Sequence, residues 1–142
     1  MTTIGLLIIL DQITKYFATK LVANKVIIKG LLNFTYVENR GAIFGVMQGS
    51  NYIMAILSAI ICVSLIIYVA RIIENGKTPN IGFYMIIAGG FGNIIDRIFR
   101  GYVVDFIDTP FIATFNVADM LIVIGACLVI LSQVKEIIKD GK

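Results

Sequence analysis

The chain has 142 residues, 58% of them hydrophobic and only 15% charged, with a net charge of +3 and a mean hydropathy of +0.93. A globular domain carries about 25% charged residues, so this composition excludes a soluble fold, and the thin, dispersed positive charge excludes phosphate tracking along a nucleic acid. The absence of histidine removes Ser-His-Asp and Cys-His catalysis and most zinc sites together; no metal and no cofactor is expected.

In chain order, the first apolar segment covers residues 3–21 and contains "DQITK". It begins without a basic stretch or a small-residue cleavage site, so no cleavable signal peptide is expected. Asp11 and Lys15 are four apart and share one helical face, where each lowers the cost of carrying the other in an apolar segment. Residues 22–51 form a loop region. Within it, "LLNFTYVENRGAIFG" (31–45) reads as a small hairpin or curled sheet that turns at Asn39, Arg40 and Gly41.

The second span covers 52–73. It opens with nineteen uncharged residues, "YIMAILSAIICVSLIIYVA", enough to cross a hydrocarbon core of about 30 Å as a helix. "ENGKTPN" (74–80) is a short polar link whose Gly and Pro end one helix and start the next. The third span, 81–99, carries glycines at 89, 90 and 92 that permit close approach of a neighbouring helix. Asn93 and Arg97 lie four apart on one of its faces, as do Asp96 and Arg100.

Residues 100–116 offer a strand in "GYVVDFI" and a turn at Asp108, Thr109 and Pro110. The fourth span covers 117–135. Asn116 is a natural N-cap for it, and Asp119 falls at the third helical position, where a carboxylate favours the positive end of the helix dipole. Cys62 and Cys127 lie inside apolar runs without C-x-x-C spacing and read as small core residues. "IGAC" at Ile124–Cys127 resembles a lipidation box, but it lies in the last apolar segment rather than behind an N-terminal signal.

These elements predict an all-α integral membrane protein. A single domain over 1–142 forms a four-transmembrane-helix bundle with a small β-rich platform on one membrane surface. Short-link and long-loop sides carry five and six basic residues near span ends, so the positive-inside rule does not orient the bundle.

Asp105 and Asp119 end at the same membrane face. If their side chains meet, one carboxyl keeps a proton while the other activates water against a peptide carbonyl, and no histidine or nucleophilic serine is needed. The residues alone leave alternatives open. Asp119 can be a helix cap, and Asp11, Asp96 and Asp119 can form an ion relay. The loop platform can serve as a scaffold, and Ser50 can act as a nucleophile.

"DQITK", "NFTYVENRGAIFG", "GGFGNIIDRIFRGYVVDFID" and "FNVAD", in this order and spacing, closely resemble the bacterial lipoprotein signal peptidases (signal peptidase II) over essentially the whole chain. The resemblance implies an aspartic endopeptidase that removes the signal peptide from diacylglyceryl-modified prolipoproteins, cutting before the lipidated cysteine. It implies Asp105 and Asp119 as the catalytic pair. The supporting positions it implies are Asp11, Lys15, Asn39, Asn93, Asp96, Arg97 and Asn116. It further implies a monomeric, multi-pass enzyme of the bacterial cytoplasmic membrane, in contact with membrane lipids, with cytoplasmic termini and the site toward the outer face. Ala42, Ile43 and Phe44 are apolar enough to hold lipid.

Overall fold

The structure, a computed structural model, describes residues 2–21, 23–41 and 51–140. Ala42, Ile43, Phe44 and Ser50 lie outside them. The described chain runs α1 (Thr2–Ala18), β1 (Lys25–Ile28), β2 (Leu32–Asn39), α2 (Asn51–Glu74), α3 (Ile81–Phe99), β3 (Val103–Thr109), β4 (Ile112–Phe115) and α4 (Val117–Asp140). It is mostly helical, with one small antiparallel sheet.

Isoleucine and valine dominate α2, although they are modest helix formers in water. In hydrocarbon the backbone must satisfy its own hydrogen bonds, and a helix does so within one segment. α2, α3 and α4 are each long and apolar enough to cross a membrane. Their ends are set locally. Gly76, at φ +71°, and the bond from Lys77 N–H to Ile72 O close α2. Asn80 then caps α3, its Oδ1 accepting from Gly82 N–H at 2.7 Å.

α3 is the central helix, and its glycines are where the neighbours touch it. A Cβ at Gly89 would collide with the Ala118 carbonyl oxygen and one at Gly82 with the Gly125 carbonyl oxygen, both on α4. A Cβ at Gly90 would strike Cys62 Sγ on α2, and one at Gly92 would sit 2.5 Å from Asp11 Oδ2 on α1. The surfaces of α2 and α4 that face away from α3 are rich in exposed isoleucine, leucine and valine, as a lipid-facing surface requires.

The sheet has strand order β1-β2-β3-β4. β2 and β3 pair Asn39 with Val103, Val37 with Asp105 and Asn33 with Asp108. Strand alternation sends Val104 and Phe106 to one face, where they pack with Ala18, Phe34 and Tyr36. Asp105 falls on the other.

Several sequence expectations are corrected. The first helix ends at Ala18 rather than 21, where Thr19 and Lys20 turn the chain toward β1. The fourth runs beyond 135 to Asp140 through a polar extension. The β1–β2 hairpin turns at Lys29–Leu31, with Gly30 at φ +74°, while the expected turn at Asn39–Gly41 is present as a bend after β2, with Gly41 at φ +80°. Asp108 and Thr109 belong to β3 rather than a turn, and the Asp108 carboxylate accepts from Asn33 Nδ2 at 3.1 Å. Cys62 is buried as expected, but Cys127, on α4, is exposed rather than part of the core.

Candidate active site

Asp105 enters from β3 and Asp119 from the first turn of α4. The local cap forms as the spacing predicts. Asn116 Oδ1 accepts Asp119 N–H at 2.9 Å, and Asp119 Oδ2 accepts Asn116 N–H at 3.3 Å. That cap leaves Asp119 Oδ1 available, and it accepts from Asn93 Nδ2 at 2.8 Å.

Asparagine amides link the two carboxylates. Asn116 Nδ2 donates to Asp105 Oδ1 at 2.6 Å and to Asn93 Oδ1 at 3.3 Å. Asp105 and Asp119 are therefore joined through two side chains, Asn116 and Asn93. The other Asp105 oxygen accepts from Asn39 Nδ2 at 2.9 Å, while Gly41 N–H donates to Asn39 Oδ1 at 3.0 Å and so turns the amide's NH₂ toward Asp105.

Beneath this pair lies a buried ionic cluster. Lys15 Nζ is 2.9 Å from Asp11 Oδ2, 3.0 Å from Asp96 Oδ2 and 2.9 Å from Asn93 Oδ1, and Lys15, Asp11 and Asp96 are all 0% exposed. The expected Asp96–Arg100 pair exists at 3.3 Å, yet Lys15 is the nearer partner. Gln12 bridges the cluster, donating to Asp11, to the Gly92 carbonyl and to Asp96. Gln12 adjoins Asp11 in the sequence, but nothing local indicates that it reaches across to α3. Arg97 feels the charges of Asp119, Asp105 and Asp96, and among the described residues its Nε has no hydrogen-bond partner.

Asp105 is only 2% exposed. Burial pushes its carboxyl up from 3.8 to about 6. The hydrogen bond from Asn39 opposes that rise and the Asp119 charge adds to it, while Asn116 and the Lys15 ammonium again pull down. Asp119 is half-buried and keeps access to solvent. A carboxyl held partly protonated near a second, more accessible carboxyl is an arrangement that acid–base chemistry can use. Among the described residues, no group of three or more Cys, Asp or Glu could hold a metal ion.

All nine sequence-predicted residues thus occupy one region where α1, α3, β2, β3 and α4 meet. The family model for Signal peptidase (SPase) II matches residues 3–135. The chain belongs to the signal peptidase II family. The lipoprotein signal peptidase of Caldanaerobacter subterraneus subsp. tengcongensis is 41% identical over 129 residues, covering 88% of each chain. That of Clostridium novyi is 37% identical and covers 91% of this chain and 93% of its own. A solved bacterial membrane enzyme, determined by the in meso method at 2.3 Å, superposes with a TM-score of 0.81 at 32% identity. The match covers 95% of this chain and 87% of that one.

As a signal peptidase II, the chain is an aspartic-type protease of the bacterial membrane that removes signal peptides from prolipoproteins. The ion-relay, scaffold and serine-nucleophile readings give way to that assignment.

Proposed function

We propose that Asp105 and Asp119 are the catalytic dyad of this peptidase, and that they cut before a diacylglyceryl-modified cysteine. The observation that supports this most is the asparagine bridge. Two carboxylates from different elements are linked through Asn116 and Asn93, with Asp105 buried and Asp119 half-buried.

The reaction balances on these two groups. Asp119 takes a proton from water as its oxygen attacks the scissile carbonyl carbon, and Asp105 gives its proton to the carbonyl oxygen. The resulting diol collapses as Asp119 returns its proton to the leaving amine and Asp105 regains one from a hydroxyl. Neither a metal nor a cofactor takes part. Asn39, Asn93 and Asn116 hold the carboxylates, and Arg97 balances their negative charge. Asp11, Lys15 and Asp96 support the elements that carry them.

In this reading the chain is one domain, 1–142, and works as a monomer. All four helices cross the bilayer, α1 as the shortest, with cytoplasmic termini and with the sheet and dyad toward the outer face. A substrate anchored by its signal helix and two acyl chains offers its scissile bond at one depth, and each buried CH₂ contributes about 0.8 kcal/mol to that anchoring. Because anchoring also orients the bond, it enters the chemical step as well as affinity. A prolipoprotein with an unmodified cysteine is therefore expected to be cut far more slowly than its diacylglyceryl form, even at saturation. Equal rates in parallel digests would contradict the lipid-dependent part of the reading.

A further inference from the structure

Lys15 makes more of its three ammonium hydrogens than charge neutralisation requires. Each acceptor leads on to the dyad. Asp11 uses its other oxygen, Oδ1, to accept the N–H of Ala118 at 2.8 Å, and Ala118 immediately precedes Asp119. Asp96 Oδ2, the oxygen that Lys15 contacts, also accepts the N–H of Val104 at 3.1 Å, and Val104 immediately precedes Asp105. The third acceptor, Asn93 Oδ1, must face the ammonium because an NH₂ group cannot accept its proton. That orientation turns Asn93 Nδ2 onto Asp119 Oδ1.

We infer that Lys15 is a positioning residue, a node that acts with the Asn116–Asn93 bridge to set the spacing of Asp105 on β3 relative to Asp119 on α4. This rests on the dyad reading above. α1 contributes no group to the reacting atoms, yet it ties two backbone N–H groups, one on each dyad-bearing element, to one cation. The site is closely packed around it. Gly92 leaves room for Asp11, where a Cβ would lie 2.5 Å from Oδ2. A displacement of about 1 Å at reacting groups costs on the order of 100-fold in rate, so a loose node is felt in turnover rather than in binding.

The charges that face Asp105 come from Lys15 on α1, Arg97 on α3 and Asp119 on α4. Removing the Lys15 cation takes away one influence that favours ionised Asp105, so the alkaline limb of the rate profile moves to higher pH.

The test uses the full chain with a diacylglyceryl-modified prolipoprotein, and it follows kcat and KM across pH. Lys15→Met keeps an unbranched side chain, one atom shorter, and removes the charge. Because it leaves the buried Asp11 without its cation and Asp96 with Arg100 alone, a second variant, Lys15→Met with Asp11→Asn and Asp96→Asn, removes the charges of Lys15 and of both its carboxylate partners. It keeps an amide oxygen to accept each backbone N–H. Both are expected to lose about 10- to 100-fold in kcat with KM within about twofold, and Lys15→Met is expected to shift the alkaline limb upward. If Lys15→Met does not fold, the triple variant decides. A triple variant with wild-type kcat would reduce Lys15 to a counter-ion and overturn the inference, as would a folded Lys15→Met with an unmoved limb. An Asp105→Asn control that stays active overturns instead the dyad reading on which the inference rests.

Discussion

Asp105 is the residue whose surroundings set a measurable property of the whole protein. Its carboxyl, held near 6 by burial, has to carry a proton for the proposed chemistry, so kcat/KM is expected to fall on the alkaline side with an apparent pKa of about 6. Asn39 donates the hydrogen bond that opposes this rise most. Asn39→Ala is therefore expected to move the limb to higher pH, and an unmoved limb would assign it to another group. Linkage carries the same sign. With a folded value raised above 3.8, the contribution of Asp105 to stability is fully present below that pH and is lost as pH rises through about 6. At this scale the sequence was legible where contacts are local. Asn116 and Asp119 are three apart, and their mutual cap could be read directly. The Lys15–Asp96 pair could not, because eighty-one positions separate the two residues and only the packing of α1 against α3 joins them. Of Asp105, spacing showed no more than which membrane face it reaches, and the catalytic role proposed for it entered through family resemblance.

Among the elements, α3 decides how closely the others approach. Gly89→Ala forces a methyl group against the Ala118 carbonyl, and overpacking of this kind costs about 1–3 kcal/mol. It should lower the unfolding temperature in detergent. It should also lower activity, since Ala118 precedes Asp119. Gly5→Ala is the control, because nothing lies within 4 Å of its added Cβ and alanine is the better helix former. Equal stability of the two variants would mean that the α3–α4 contact is less close than described. The helices were legible from the sequence because long apolar runs have few alternatives in a membrane. The short strands were not. β1 and β4 have four residues each, too few for an alternating pattern to emerge, and their existence depends on β2 and β3 already being paired. Asp108 reads as a turn residue beside Pro110 for the same reason, although pairing with Asn33 keeps it in β3.

For the whole molecule, the exposed apolar faces of α2 and α4 fit a bilayer, while the charge count left its direction open. The proposed topology puts the α2–α3 link and the β1–β2 turn on opposite sides. Cysteines introduced as Asn75→Cys and Lys29→Cys are expected to react with an impermeant thiol reagent from the cytoplasmic and outer sides respectively, and labelling of both from one side would contradict four crossings. The dyad itself is tested most directly by single-turnover cleavage of a diacylglyceryl-modified prolipoprotein by the wild type, Asp105→Asn and Asp119→Asn, each first shown to be folded and inserted. Each variant is expected to lose at least ~100-fold, the scale for removal of one member of an acid–base pair. Cleavage by either folded variant at a rate near wild type would contradict the assignment.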